Sequence, residues 1–334
     1  MTVRPVAWPV AAAFFLAGLA GCGGTDAGGD PASPRGDGPS TPQQVAVPPL
    51  SVPDSRPEVD LYEPASAESH PNGKRLAGRV AQRAVTYRRG ADAAEVAESL
   101  GPSAVGRGAL AEAIEPLVEP SARSRGAVVY PQVSGLTPTT MGLMVVVRQV
   151  RQEEGEPEET VTRVLDVRLR RPSGGSWELD RVASVGGSPA ERPDDLSQAA
   201  ERVVDHPDIT LPDSARWDIF RGEVDDRLLT ALAGAADRYP LSIAVLSSGH
   251  PPNVWASSKP SAHASGRAAD IYAVDGRLVA RQREAGSAAH ALTRSLVAGG
   301  AFQVGSPWAL PGVGTRSFTD EVHLDHVHLH QAAG

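Results

Sequence analysis

Apolar positions change their spacing several times along this chain, and each change predicts a new element. Leu76, Val80, Ala84 and Tyr87 fall near helical spacing, and 109–117 offers a second short helical stretch. Three strand-like runs follow. Residues 141–150 are nearly continuously apolar, 161–170 carries Val161, Leu165, Val167 and Leu169 on one face, and 176–184 comes after a Gly174-Gly175 turn. Further on, Val224, Leu228, Leu232 and Ala235 form a helical stripe that stops before Pro240. Residues 241–246 then read as a buried strand, and a helix is predicted over 279–297, ending at Gly299-Gly300. Short strands are expected around Ile271 and at Val327. The predicted fold class is α+β.

Two stretches break the pattern. Residues 23–73 are rich in Gly, Pro, Ser and Asp with no sustained period, a composition that buries too little apolar surface to offset ordering and so predicts a tether. An acidic, Pro-containing break spans 188–195. At about 100 to 200 residues per domain, the chain should hold two domains. These are a small α+β module over 74–187 and a compact α+β domain over 196–334. The order of elements in the first loosely resembles the cystatin-like or NTF2-like shape. No motif within it carries chemistry, so its expected role is spacing, docking or substrate positioning.

Net charge is -8 with no basic stripe, which argues against nucleic acid as a partner. Arginine greatly outnumbers lysine, which occurs only at Lys74 and Lys259. Arg4 precedes an apolar run over 6–20, too short to span a bilayer as a mature helix, so residues 1–22 read as an export signal. The run ends in Leu19-Ala20-Gly21-Cys22, which resembles the bacterial lipobox. Cys22 is the sole cysteine and the expected lipidation site, and intrachain disulfides are impossible. The protein is therefore expected outside the cytoplasm, held to the membrane by its lipid, with the tether giving it reach.

Seven of the nine histidines lie at or beyond position 250. They concentrate in Ser261-Ala262-His263-Ala264-Ser265-Gly266-Arg267-Ala268-Ala269-Asp270 and in His323-Leu324-Asp325-His326-Val327-His328-Leu329-His330. A catalytic zinc takes three N or O ligands and leaves one position open, and His263, Asp270 and His328 are the candidate set. Gly266 permits a tight path between the first two. Strand parity puts 326, 328 and 330 on one side, so His326 can stand beside a metal that His328 binds. Asp320-Glu321-Val322-His323 repeats the acid-x-x-His frame and His330 extends the imidazole face, so either outer histidine is an alternative to His328. His70, His206 and His290 are expected to pack or hydrogen-bond. Ser261 is expected to secure its loop, since no Ser/His/Asp order surrounds it.

The first cluster resembles the SxHxxGxAxD signature of zinc D-alanyl-D-alanine carboxypeptidases and dipeptidases (LAS metallopeptidases). The second resembles their acid-x-x-His element in its HxH form. The resemblance covers the C-terminal domain only. It implies a zinc peptidase acting on peptidoglycan peptides, as a D,D-carboxypeptidase or endopeptidase. Asp325 would be the proton acceptor, provided it sits at a strand start or bulge, and His326 would stabilise the oxyanion or the nucleophile. These peptidases commonly carry an arginine upstream of the first motif, where this chain reads Ser247-Ser248-Gly249-His250-Pro251-Pro252. His250 or Lys259 is then the candidate for gripping a substrate carboxylate, and Ser261 is a further candidate substrate-binding residue. The competing expectations are a peptidoglycan-binding protein without turnover and a zinc-capture protein.

Overall fold

Pro71 supplies the pre-set φ of a first helical turn, and from it helix α1 (Pro71–Ala84) turns Ala77, Val80, Ala81 and Ala84 inward. The structure, a computed structural model, describes residues 59–331. Helices α2 (Ala93–Ser99) and α3 (Gly106–Ile114) follow, the first capped by the Asp92 side chain on the Glu95 N–H. These helices cover one face of an antiparallel sheet whose strands, β1 (Ala122–Leu136), β2 (Thr140–Glu153), β3 (Glu159–Arg170) and β4 (Glu178–Ser184), pair in chain order.

The second half is built from α4 (Gln198–Val204), β5 (Ile209–Thr210), α5 (Asp213–Phe220), α6 (Asp226–Ala236) and β6 (Leu241–Val245). It continues with β7 (Ala268–Val274), β8 (Arg277–Leu278), α7 (Ala288–Ala298), β9 (Phe302–Gly305), β10 (Ser317–Phe318) and β11 (Val327–Gln331). Its sheet runs β10-β9-β11-β7-β6-β5, with β8 paired to β7. The fold is α+β, as the period changes predict.

Several expectations need correction. Residues 59–73 are not tether: Tyr62 packs on Gly78, its N–H donates to Gln82 Oε1 at 3.0 Å, and Glu68 is buried. Their polar side chains meet partners inside the fold, a use that composition does not reveal. The helix expected over 279–297 is a 3-10 turn, Val279–Arg281, a loop, and α7. Ser287 starts α7 by accepting the His290 N–H at 3.2 Å, while Gln282 turns inward to the Val274 and Arg277 carbonyls. The stretch 188–195 lies between the elements of the two sheets, and the described residues fall within one compact unit. Tyr130, Met144, Val146 and Val164 of the first sheet share a core with Ala244, Val245, Tyr272 and Ala273 of the second. Tyr130 stacks on Tyr272 at 5.1 Å and 13°. Residues 1–58, with Cys22 and most of the expected tether, lie outside the described residues. Among those described, no helix is long and apolar enough to cross a membrane.

Candidate metal centre

The backbone brings the two histidine clusters together directly. Strands β7 and β11 are antiparallel neighbours, and their register pairs His328 with Asp270. Cross-strand partners have Cβ atoms about 4.5–5.5 Å apart, so their side-chain tips meet without help from a flexible loop. His263 comes from a single 3-10 turn, His263–Ser265, that ends at Gly266 in the left-handed region with φ 63°. A side chain there would lie 1.8 Å from the Glu223 carbonyl oxygen, so only glycine allows the return into β7.

Hydrogen bonds assign the imidazole edges. His263 Nδ1–H donates to the Leu246 carbonyl at 2.7 Å, which turns Nε2 toward Asp270 and His328. His330 Nε2–H donates to Gln303 Oε1 at 2.8 Å, so His330 Nδ1 accepts from His328 Nε2–H at 3.1 Å. His328 Nδ1 lies within hydrogen-bonding distance of Asp270 Oδ1, at 2.7 Å, and 3.4 Å from His263 Nε2. His263 Nε2 also lies 3.4 Å from Asp270 Oδ1. Two ring nitrogens and one carboxylate oxygen thus converge.

That convergence is what a cation needs. Donors held about 2.0–2.2 Å from a tetrahedral ion sit roughly 3.3–3.5 Å from each other, the length of two of the three edges. Asp270 is 1% exposed, and no Lys or Arg among the described residues pairs with it. Burial alone would raise its pKa. The imidazoles of His263, His326 and His328 around it outweigh burial and hold it well below the usual carboxylate range. Donor atoms of His250, His263 and Asp270 also lie within 4.8 Å of one another, and this group can hold a metal ion. His250 reaches it by stacking on His263, with centroids 3.9 Å apart and planes at 15°. An ion in the plane of one stacked ring lies off the plane of the other, so the two share an ion only if one ring turns. Burial keeps His250 well below its ordinary pKa, His328 at about 3 and His330 at about 4, so these rings are neutral donors at pH 7.

Asp325 lies just ahead of β11 and points away from the cleft. Its Oδ1 accepts His326 Nδ1–H at 2.7 Å. Its Oδ2 accepts the Val133 N–H at 3.1 Å and meets Lys74 Nζ at 2.6 Å. Burial would raise its pKa, but the Lys74 charge and the His326 bond bring it down to about 2. The other edge of His326, Nε2, is 3.9 Å from Asp270 Oδ1. Although burial disfavours the imidazolium, Asp270 and Asp325 together raise the His326 pKa.

His250, Asp270, His326 and His328 line a cleft of about 730 Å³ that also takes its wall from Val133 to Leu136 of β1. Trp255 closes one side. Its ring occupies the space over Gly135 and Gly142, where a Cβ would be 2.2 and 2.5 Å from it, and its Nε1–H donates to Thr140 Oγ1 at 3.2 Å. Lys259 lines the cleft and has no ion-pair partner among the described residues. Ser261 Oγ accepts the His263 N–H at 3.3 Å and so braces the ligand turn. His323 and His330 line the cleft but stand off from Asp270, His323 being held by Asp320 at 2.7 Å. His206 pairs with Asp237 and His290 packs on Trp308, both away from the cluster.

Sequence reading missed the half of the centre that comes from the first sheet and α1. Gln132 Nε2 donates to Asp270 Oδ2 at 2.7 Å, and Lys74 balances Asp325. One signal was present for Lys74: it is one of two lysines in an arginine-rich chain, and the other lines the same cleft. Nothing in the local pattern marks Gln132. No family model, curated protein or solved structure matches the chain.

Proposed function

We propose that this chain is a zinc-dependent peptidase that hydrolyses amide bonds of peptidoglycan peptides, held outside the cytoplasmic membrane as a lipoprotein acylated at Cys22. One observation carries the reading: ring nitrogens of His263 and His328 and the Asp270 carboxylate converge beside His326 Nε2, and Asp270, His326 and His328 line a cleft. Two imidazoles and a carboxylate suit zinc, and three ligands leave room for a reactant. The two cluster motifs and the export signature point the same way as to substrate and location.

When bound, zinc would polarise the scissile carbonyl and make water nucleophilic near neutral pH. The chain's own groups do the rest. His263, Asp270 and His328 hold the ion. His326, steadied by Asp325, presents Nε2 to take the proton of the attacking water and return it to the leaving amine. Proton handling thus falls to His326, because both oxygens of Asp325 are engaged behind it. Lys259, on the cleft wall, supplies a positive charge for an anionic group of the substrate.

The same burial of Asp325 favours a second reading, a metal-dependent wall-peptide binder without turnover. Incubating the protein with purified peptidoglycan fragments, with and without chelator, and analysing them by mass spectrometry separates the two. Chelator-sensitive cleavage supports the peptidase, whereas tight zinc and peptide binding with intact fragments selects the binder.

A further inference from the structure

Lys74 is enclosed by the fold at 0% exposure, and its ammonium is surrounded by groups from three parts of the chain. It forms ion pairs with Glu68 and, at 2.6 Å, with Asp325 Oδ2, and its Nζ is 3.1 Å from the Tyr130 hydroxyl. That hydroxyl donates to Glu68 Oε2 at 3.0 Å, and its ring is fixed by the stack on Tyr272. Two buried carboxylates, one ammonium and one phenol thus form a closed set, and the only side chain of that set that touches the histidine cluster is Asp325.

We propose that Lys74 is a positioning residue for His326, and that the amino-terminal sheet and α1 are in this way an obligatory part of the metal centre. A carboxylate sealed from water needs a full opposing charge as well as hydrogen bonds. Lys74 meets that need on Oδ2, so Oδ1 is free to hold the Nδ1–H of His326, and Nε2 is left bare toward Asp270 and the cleft. Without the ammonium, the one remaining cationic partner for Asp325 is the imidazole itself, and the carboxylate turns off the Val133 N–H toward it. The residue type fits the place: a compact ammonium can sit between two carboxylates and a hydroxyl, whereas the planar fork of arginine cannot.

The inference rests on the peptidase reading only for its kinetic arm. The full chain is compared with Lys74→Met and with Tyr130→Phe, which removes one hydroxyl and keeps the stacked ring. Long-range proton–nitrogen NMR of the histidine rings reports the tautomer, calorimetry reports zinc affinity, and fragment hydrolysis reports turnover. In the unaltered chain His326 shows one tautomer, protonated at Nδ1. In Lys74→Met that signature is lost, zinc affinity is unchanged because no ligand is touched, and kcat falls about 10- to 100-fold with KM unchanged. Tyr130→Phe shifts the same signals less, and decides the matter alone if Lys74→Met does not fold. A His326 signature identical to the unaltered chain in every folded variant overturns the proposal. If the unaltered chain cleaves nothing, the peptidase reading fails, and the tautomer comparison still judges Lys74.

Discussion

His328 and Asp270 face each other across the β11–β7 ladder as register partners, with Nδ1 and Oδ1 2.7 Å apart. Backbone pairing, rather than the conformation of a loop, sets that distance. Sites carried on paired strands hold their geometry more tightly than sites on loops. The third converging group, His263, is the one that depends on a turn, and that turn is tied down by Gly266, Ser261 and the Leu246 carbonyl.

Loss of any converging group should abolish zinc binding. His263→Ala and Asp270→Asn are expected to bind no stoichiometric zinc by calorimetry while unfolding cooperatively. Gln132→Ala, which takes the hydrogen bond from Asp270 Oδ2, should weaken zinc about 10- to 100-fold. Undiminished affinity in Asp270→Asn would show that the ion sits elsewhere.

Removing the proposed proton carrier should separate binding from turnover. We expect His326→Gln to keep its zinc and lose about 10²- to 10⁴-fold in kcat on peptidoglycan fragments. Equal activity in this variant would move the role to another group.

The C-terminal segment is not expected to fold by itself. Expressed as 196–334, it would bare Ala244, Val245, Tyr272 and Ala273 and leave Asp325 without Lys74. A soluble, cooperatively melting fragment with native zinc affinity would refute this.

Trp255 lines the cleft and fills the space over Gly135 and Gly142. Gly135→Ala drives a methyl group into the indole and should cost about 1–3 kcal/mol, read by thermal unfolding, with a shift in tryptophan fluorescence. An unchanged melting temperature and spectrum would mean that the ring moves freely.

Asp218 gives a pH dependence outside the metal centre. Burial raises its carboxyl pKa despite bonds from Ser248 and the Ser247 N–H, and its Oδ1 has no partner. A carboxyl whose folded pKa lies above its unfolded one favours folding when protonated, and that advantage is lost as pH rises through the folded value. The melting temperature of Asp218→Asn, relative to the unaltered protein, should therefore climb as pH rises above the usual carboxylate range. A pH-independent difference would rule this out.

Much of the fold was legible because its cues are local. The apolar run over 141–150 lies in β2, the alternation over 161–170 in β3, and the stripe before Pro240 in α6. Strand β1 was missed because Arg123, Arg125, Gly126, Pro131, Gln132 and Gly135 interrupt any alternation. Gln132 is buried against Asp270, a distant partner that no window of neighbouring residues can show.

By itself, the order of residues determined that this chain is α+β and that its chemistry-bearing side chains gather in two short stretches near the C-terminus. Those are properties of spacing, readable one segment at a time. Only the tertiary structure decided that His328 rather than His323 or His330 stands against Asp270. It alone turned Asp325 away from the cleft onto Lys74, and set Gln132 behind Asp270. These pairings span 58, 251 and 138 positions, and they follow from how two sheets pack and which buried charge must find its counter-charge.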